Sequence, residues 1–292
     1  MQDDEALADS VGHVAVVRVA DGSARAQRDA VAREEPLEIQ VGGSPLAVVM
    51  RTPGHDADLA LGFLASERVI GSIDDVLSVR HCREARTPEA ADNVVRVALA
   101  DGVRVDWEAL RRNTYASSSC GVCGKATIEN ALACAPALED PARFDAVLFA
   151  GLPERLVASQ PGFASTGGLH AAALFDARGN LLVAREDIGR HNAVDKVLGF
   201  CVREKRWPLA GHVLLVSGRI SFEIVQKALA ARLPLVAGVS APSSLAIALA
   251  ERAGMTLIGF LRGRSFNVYG DSARVQVSRS ERNANEVDPE RA

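Results

Sequence analysis

Hydrophobic positions first become regular at Glu34, where Leu37, Ile39 and Val41 alternate with polar neighbours and predict a half-buried strand. Gly42-Gly43 is a hairpin turn signal, and Pro45 to Met50 reads as the returning strand, closed by Arg51-Thr52-Pro53-Gly54. Asp58 is placed to cap a helix from Leu59 to about Val69, with Leu59, Phe63 and Leu64 facing inward. Two further strands, Val76 to His81 and Asn93 to Ala98, complete a small α+β domain over residues 34–115. Residues 1–33 are charged and Ala-rich, carry only a short strand at His13 to Val19, and read as a flexible lead-in.

Beyond Leu152 the pattern changes to apolar strands alternating with helices. The strands are Ala171 to Phe175, Leu181 to Arg185, Val213 to Val216, Leu235 to Val239 and Thr256 to Leu261. Asp187 is placed to cap a helix carrying His191, Val194, Leu198 and Cys201 on one face. A second helix runs from Ser221 to about Arg232, and Ser243 caps a third that Gly254 stops. Such alternation predicts a parallel or mixed sheet covered on both faces, here over residues 151–278, with a polar, disordered tail at 279–292. The fold class is therefore α/β, or α+β for the chain as a whole. In open sheets of this kind ligands bind beyond the carboxyl ends of the strands. That rule points at Ser217-Gly218-Arg219, Ser240-Ala241-Pro242 and the Arg262-Gly263-Arg264 turn.

Residues 116–150 join the two units and carry the most reactive-looking stretch, Ser117-Ser118-Ser119-Cys120-Gly121-Val122-Cys123-Gly124-Lys125. Ile128, Ala131, Leu132 and Ala135 fall on one face of a following helix, Ala126 to Ala135. Both thiols then sit at a helix N-terminus beside Lys125, which lowers a thiol pKa and favours the reactive thiolate. Three other readings compete. A CxxC can be half of a tetrahedral zinc site, with His170 or His191 as extra ligands, though no second CxxC or HxxxH is present. A structural disulfide fits poorly, because the start Met-Gln-Asp-Asp-Glu lacks the basic region of a signal peptide. A thioredoxin-like motif would follow a strand, whereas Asn113 to Ser119 is polar.

Composition narrows the field. The chain has 292 residues, a net charge of −4 and only 4% aromatic residues, which argues against binding nucleic acid through phosphates or base stacking. No span resembles a membrane helix, and the expected location is the cytoplasm. Of the five cysteines, Cys134 and Cys201 read as buried small hydrophobes; Cys82, beside His81, has no assigned place. The expected assembly is a homodimer, two-fold dimers being the commonest.

Three more stretches could carry chemistry. Thr166-Gly167-Gly168-Leu169-His170 is either a phosphate cradle or an ordinary turn. Arg185 to Asn192 crowds polar groups at a strand-to-helix junction, either a solvated helix start or a ligand site around His191. Arg219, Arg262 and Arg264 form a basic patch suited to phosphate, with Phe260 as a ring for a base, or else a charged surface loop.

Taken in order, Glu35-Pro36-Leu37, Arg51-Thr52-Pro53-Gly54, Cys120-Gly121-Val122-Cys123-Gly124, Gly167 to Ala172, Glu186 to Lys196 and Ser217-Gly218-Arg219 strongly resemble the FdhD family, the formate dehydrogenase accessory sulfurtransferases. The match runs from about residue 34 to 270. The resemblance implies a sulfur carrier that takes persulfide sulfur from a cysteine desulfurase. It would pass that sulfur to molybdenum in bis-molybdopterin guanine dinucleotide, a bound substrate destined for the catalytic subunit of formate dehydrogenase. By position, Cys120 bears the persulfide and Cys123 assists transfer or resolves it. Phe260-Leu261-Arg262-Gly263-Arg264-Ser265 matches the segment for the guanine nucleotide, with Gly168, His170, His191, Ser217 and Arg219 joining in cofactor binding. The family's second domain is similar in fold to cytidine deaminases, a three-layer α/β/α arrangement. Here His170-Ala171-Ala172 and Pro242-Ser243-Ser244-Leu245 stand where deaminases carry H-x-E and P-C-x-x-C. The glutamate and both thiols are gone, so no metal ion of its own is expected. The rivals are a cofactor-delivering chaperone with a redox-sensing CxxC, and a zinc hydrolase or deaminase.

Overall fold

The structure, a computed structural model, describes residues 10–82, 92–107 and 137–277. Cys120, Cys123, Lys125, Cys134 and the helix expected at Ala126 to Ala135 lie outside those residues. The chain is mixed α/β. In the first half, β3 (Glu35–Val41) and β4 (Ser44–Arg51) form the expected hairpin, followed by α1 (Asp56–Ser66), β5 (Val76–His81) and β6 (Val94–Leu99). The four strands form one sheet in the order β4-β3-β6-β5. Leu37, Ile39, Val41, Val95 and Val97 bury the inner face against Leu59, Leu61 and Leu64 of α1.

The second half carries β7 (Phe144–Asp145), α2 (Leu152–Ala158), α3 (Pro161–Thr166), β8 (His170–Phe175) and β9 (Leu181–Asp187). It continues with α4 (Arg190–Arg203), β10 (Val213–Val216), α5 (Phe222–Ala230), β11 (Leu235–Gly238), α6 (Ser244–Ala253), β12 (Thr256–Arg262), β13 (Ser265–Gly270) and β14 (Val275–Gln276). Six of these strands make a mixed sheet in the order β13-β12-β11-β10-β8-β9, with β10, β11 and β12 parallel. One face packs on α4, α5 and α6. The other is filled by Phe144, Phe149, Leu152 and Leu156. Both faces are covered, as continuous apolar strands require.

Three local expectations change. The short strand expected at His13 to Val19 falls within β1 (Val11–Ala20), but the rest of 11–32 is not a flexible lead-in: β1 pairs with β2 (Ser23–Ala32) in an antiparallel ribbon. Most of its side chains are exposed, so it carries no core-facing alternation to read. Asp58 does not cap α1: the cap residue is His55, in a left-handed conformation, and Asp58 lies a turn inside the helix, fully buried. Asp187 does not cap α4 either. It ends β9, fully buried, and Gly189 takes the cap position. Cys82 also finds a place: it is buried, and its amide donates to the Val94 carbonyl at 2.8 Å.

Buried charge explains both misread aspartates. The two halves are joined through α1 and α4, and buried acids at that contact are paired with cations, Asp58 with those of the other half and Asp187 and Asp195 with those of their own. Asp58 pairs with Arg203 at 3.1 Å and Arg185 at 3.4 Å. Burial pushes its carboxyl above the usual range, while Arg203 and Arg185 oppose the rise. Asp195 of α4 takes both Lys227 at 2.8 Å and the Ser66 hydroxyl at 3.0 Å. Lys196 reaches Asp187 at 2.8 Å and the Thr52 carbonyl at 2.8 Å, and the Thr52 amide donates to Asp187 at 3.1 Å. Arg51-Thr52-Pro53-Gly54 and the Glu186–Lys196 stretch are therefore two sides of one joint.

Glycine sets how close that joint comes. A Cβ at Gly62 would lie 1.8 Å from the Asp195 carbonyl oxygen, and one at Gly199 would lie 1.7 Å from that of Asp58. The helix backbones touch where a side chain would stand. Gly199→Ala should therefore cost about 3 kcal/mol or more, read as a large fall in Tm. Gly151→Ala, where a Cβ meets nothing within 4 Å, should leave Tm nearly unchanged. Equal melting of the two variants would show that the helices can separate freely.

Candidate functional site

Because β10, β11 and β12 are parallel, their carboxyl ends open along one edge of the sheet. β8 runs the other way and starts there, with His170 opposite Asp187 of β9. The loops that leave this edge are tied together. The Ile220 amide donates to the Ala241 carbonyl at 3.1 Å, and the Phe260 amide to the Ser240 carbonyl at 3.1 Å. Ser217 bridges to β8, its hydroxyl accepting from the Ala171 amide at 2.9 Å.

His170, Arg190, His191, Ser217 and Arg219 gather around β8 and β10. A Cβ at Gly218 would stand 3.4 Å from His170 Nδ1, so the ring lies against that loop. His191, at the start of α4, places Nε2 2.7 Å from Glu223 Oε2 and 3.2 Å from the Ser221 hydroxyl. Glu223 is half-buried; burial works to raise its carboxyl, but the His191 hydrogen bond and charge outweigh it and hold the group low. Arg190 Nε and Glu223 Oε1 are buried without a hydrogen-bond partner among the described residues. Half-burial lowers the His170 pKa, and the positive charges of Arg190, His191 and Arg219 add to the effect. The cluster is thus cationic, with donor capacity left over, and suits an anion.

Phe260 to Ser265 sit on the same edge but further along. β12 stands two places from β10, about 10 Å at the usual strand spacing. Phe260, Arg262, Gly263, Arg264 and Ser265 are exposed, while the side chain of Leu261 is fully buried in the core and offers a ligand only its main chain. Phe260 has φ 55°, a left-handed conformation rare for an aromatic residue, and its ring is 43% exposed. The glycine turn before β8 resolves toward the simpler reading: the Gly167 amide donates to Phe163 O at 2.7 Å and that of Gly168 to the Thr166 hydroxyl at 3.2 Å. Both amides are used within the turn, which ends α3.

Sequence reasoning did not single out Glu223; it named Ser221 only as a helix start and Arg190 only within the polar stretch Arg185 to Asn192. The available signal was an acid in the first turn of a helix directly after the Ser-Gly-Arg strand end, which looks like ordinary dipole compensation. Cys201 behaves as expected: it is fully buried, and burial pushes its thiol up to about 12.

The FdhD/NarQ family model matches residues 32–276. The chain belongs to the FdhD/NarQ family. Curated FdhD/NarQ relatives carry the name sulfur carrier protein FdhD. That of Streptomyces coelicolor is 50% identical over 266 residues, covering 90% of this chain and 94% of the relative. That of Mycobacterium tuberculosis is 50% identical over 254 residues, 85% and 92% of the two chains. That of Sulfolobus acidocaldarius is 44% identical over 264 residues, 90% and 98% of the two. Among solved structures, a protein of Desulfotalea psychrophila assigned as a formate dehydrogenase accessory protein superposes with a TM-score of 0.70. The superposition covers 91% of this chain and 99% of that one at 22% identity, so the FdhD/NarQ fold persists where most side chains differ. None of the described helices is long and apolar enough to cross a membrane.

The His170 environment has a pH consequence. Its folded pKa lies below the ordinary 6.5, so the unfolded chain binds the proton more readily. The stability this contributes is complete above about 6.5 and is lost as pH falls through that value toward the folded pKa. Thermal melts of the wild type should drop between pH 7.5 and 5.5 by more than those of His170→Asn; parallel curves would refute the assignment.

Proposed function

We propose that this chain is a sulfur carrier that accepts persulfide sulfur from a cysteine desulfurase on Cys120. It passes that sulfur to the molybdenum of bis-molybdopterin guanine dinucleotide, the cofactor of formate dehydrogenase. The observation that carries the reading is the near-half identity, over about nine-tenths of the chain, to proteins named sulfur carriers.

The chemistry asks little of the chain. The Cys120 thiolate attacks the outer sulfur of the donor's persulfide; the donor S–S bond breaks, and its cysteine leaves as thiolate. Cys120 then holds the sulfur as its own persulfide. Attack by the Cys123 thiolate on the inner sulfur releases hydrosulfide for the metal and leaves a Cys120–Cys123 disulfide, which a dithiol reductant reopens. The acceptor is held at the carboxyl edge. Arg219, Arg262 and Arg264 supply forks for its phosphates, and Phe260 a face for the guanine. His170, His191 and Ser217 gather beside it, where Arg190 Nε, without a hydrogen-bond partner among the described residues, fits an anion. Gly168 and Leu261 enter only as backbone around it. As the chain's expected partners, the desulfurase and the formate dehydrogenase catalytic subunit meet a homodimer.

Incubation with a cysteine desulfurase and cysteine should add sulfur to the intact mass, and Cys120→Ser should abolish the gain while guanosine diphosphate still binds. An unmodified wild type beside an active donor would leave cofactor delivery as the function. Phe260→Gly separates binding from folding. It removes the left-handed strain and should raise stability by up to about 1 kcal/mol, yet weaken guanosine diphosphate roughly tenfold by loss of stacking. Unchanged affinity would take the ring out of the site.

A further inference from the structure

The hairpin β12–β13 at the end of the six-stranded sheet carries two polar side chains outside the cluster around His170. Along β13 the faces alternate, so Ser265, Asn267 and Tyr269 share one side and Phe266 and Val268 the other. Tyr269 packs against the core that α4, α5 and α6 cover. Phe266 packs against the opposite core, its ring centre 5.4 Å from that of Phe149. Asn267 therefore faces the helix side of the sheet. Arg262 stands opposite Ser265 in the ladder and shares that side. So do the starts of α4 and α5, which bring Arg190, His191 and Glu223.

A bare glycine holds Tyr269 in place. Gly259 is paired with Asn267, and a Cβ on it would stand 2.7 Å from Pro242 Cδ and 3.1 Å from Tyr269 Cε2. The tyrosine ring and the strand-end proline close on that glycine from two directions. The register then slips: Phe260 and Leu261 together face the single residue Phe266. Leu261 stays in the core, and Phe260 is the extra residue whose ring stands out. Phe260 thus directly follows the residue paired with Asn267, and paired Cα atoms lie about 5 Å apart. One purine can touch both the ring and the amide.

Asn267 Nδ2 donates to the Tyr269 hydroxyl at 3.2 Å. That bond orients the amide and turns Oδ1 away from the tyrosine. No hydrogen bond from the described residues reaches Oδ1, so a fixed acceptor is left open on the exposed lip beside the Phe260 ring. Guanine offers two donors side by side, N1–H and the 2-amino group. Adenine carries a bare N1 at the same place, which sets lone pair against lone pair at Oδ1.

We propose that Asn267, oriented by Tyr269, reads the Watson–Crick edge of the base stacked on Phe260 and selects guanine over adenine. This rests on the reading above that the guanine nucleotide of the cofactor lies at Phe260. Asn267 is the contacting residue, and Tyr269 is a positioning residue that acts through it. The stacking ring supplies affinity for any base, and the amide supplies the choice among them.

The test is equilibrium binding of guanosine diphosphate and adenosine diphosphate to the full chain, beside sulfur loading of the wild type by a cysteine desulfurase. The wild type should prefer guanosine diphosphate. Asn267→Ala should weaken that nucleotide about fivefold, the loss of one hydrogen bond, and lower the ratio of the two affinities by a similar factor. Asn267→Asp keeps an acceptor and should keep the preference, whereas Tyr269→Phe removes only the orienting hydroxyl and should reduce it. An unchanged ratio in Asn267→Ala overturns the assignment, as does a wild type that holds both nucleotides equally. Should Asn267→Ala not fold, Tyr269→Phe decides, and an unchanged ratio there overturns it. Sulfur loading without a guanine preference sinks the base reader and leaves the carrier reading intact; no nucleotide binding and no loading sink both.

Discussion

The closest constraint in the molecule is the meeting of two helix backbones at Gly62 and Gly199. Each glycine faces the carbonyl of an aspartate on the other helix, and each aspartate stands four residues before the glycine of its own helix. α1 and α4 thus carry the same five-residue pattern, Asp58-Leu59-Ala60-Leu61-Gly62 and Asp195-Lys196-Val197-Leu198-Gly199. The fit places Asp58 and Asp195 where water cannot reach them, which obliges Arg185, Arg203 and Lys227 to follow.

The same joint positions the chemistry. Lys196 and Asp187 fix Thr52 on one side and the start of α4 on the other, and Asn192 donates to the Met50 carbonyl at 2.7 Å. His191 and Arg190 are carried in on that rigid helix start, while Ser217, Ser221 and Glu223 come from the strand-to-helix turn beside it. A site assembled from helix and strand ends keeps its geometry without a bound ligand. The Phe260 turn is different. It projects from an exposed hairpin and holds its ring out through a strained main chain.

What the sequence made legible follows from periodicity. Val213–Val216, Val76–His81 and the Ser243-capped α6 were readable because their signals are local: an apolar run, an alternation, a hydroxyl on the Ala246 amide. Asp58 and Asp187 were misread because a cap and a buried ion pair use the same residue type; the Asp58 cations lie more than a hundred residues away, and Asp187, though paired with nearby Lys196, is buried against Thr52 from the other half of the chain. Of the β1–β2 ribbon only a short strand at His13 to Val19 was legible, because its stability comes from main-chain pairing rather than from a buried face. At the site, His170, His191, Ser217 and Arg219 could be named from motif and strand-end position. Glu223 could not, since only the fold brings it to His191.

Two sheets with separate cores would ordinarily allow two melting events. Here Val202 of α4 belongs to the core of the first sheet, and Trp207 packs against the cores on both sides. The backbones of α1 and α4 touch at Gly62 and Gly199, so the halves share a contact that cannot loosen without moving both helices. The chain therefore has one cooperative unit rather than two: losing the first sheet strips α4 of the surface it is moulded to, and the second sheet loses a face with it.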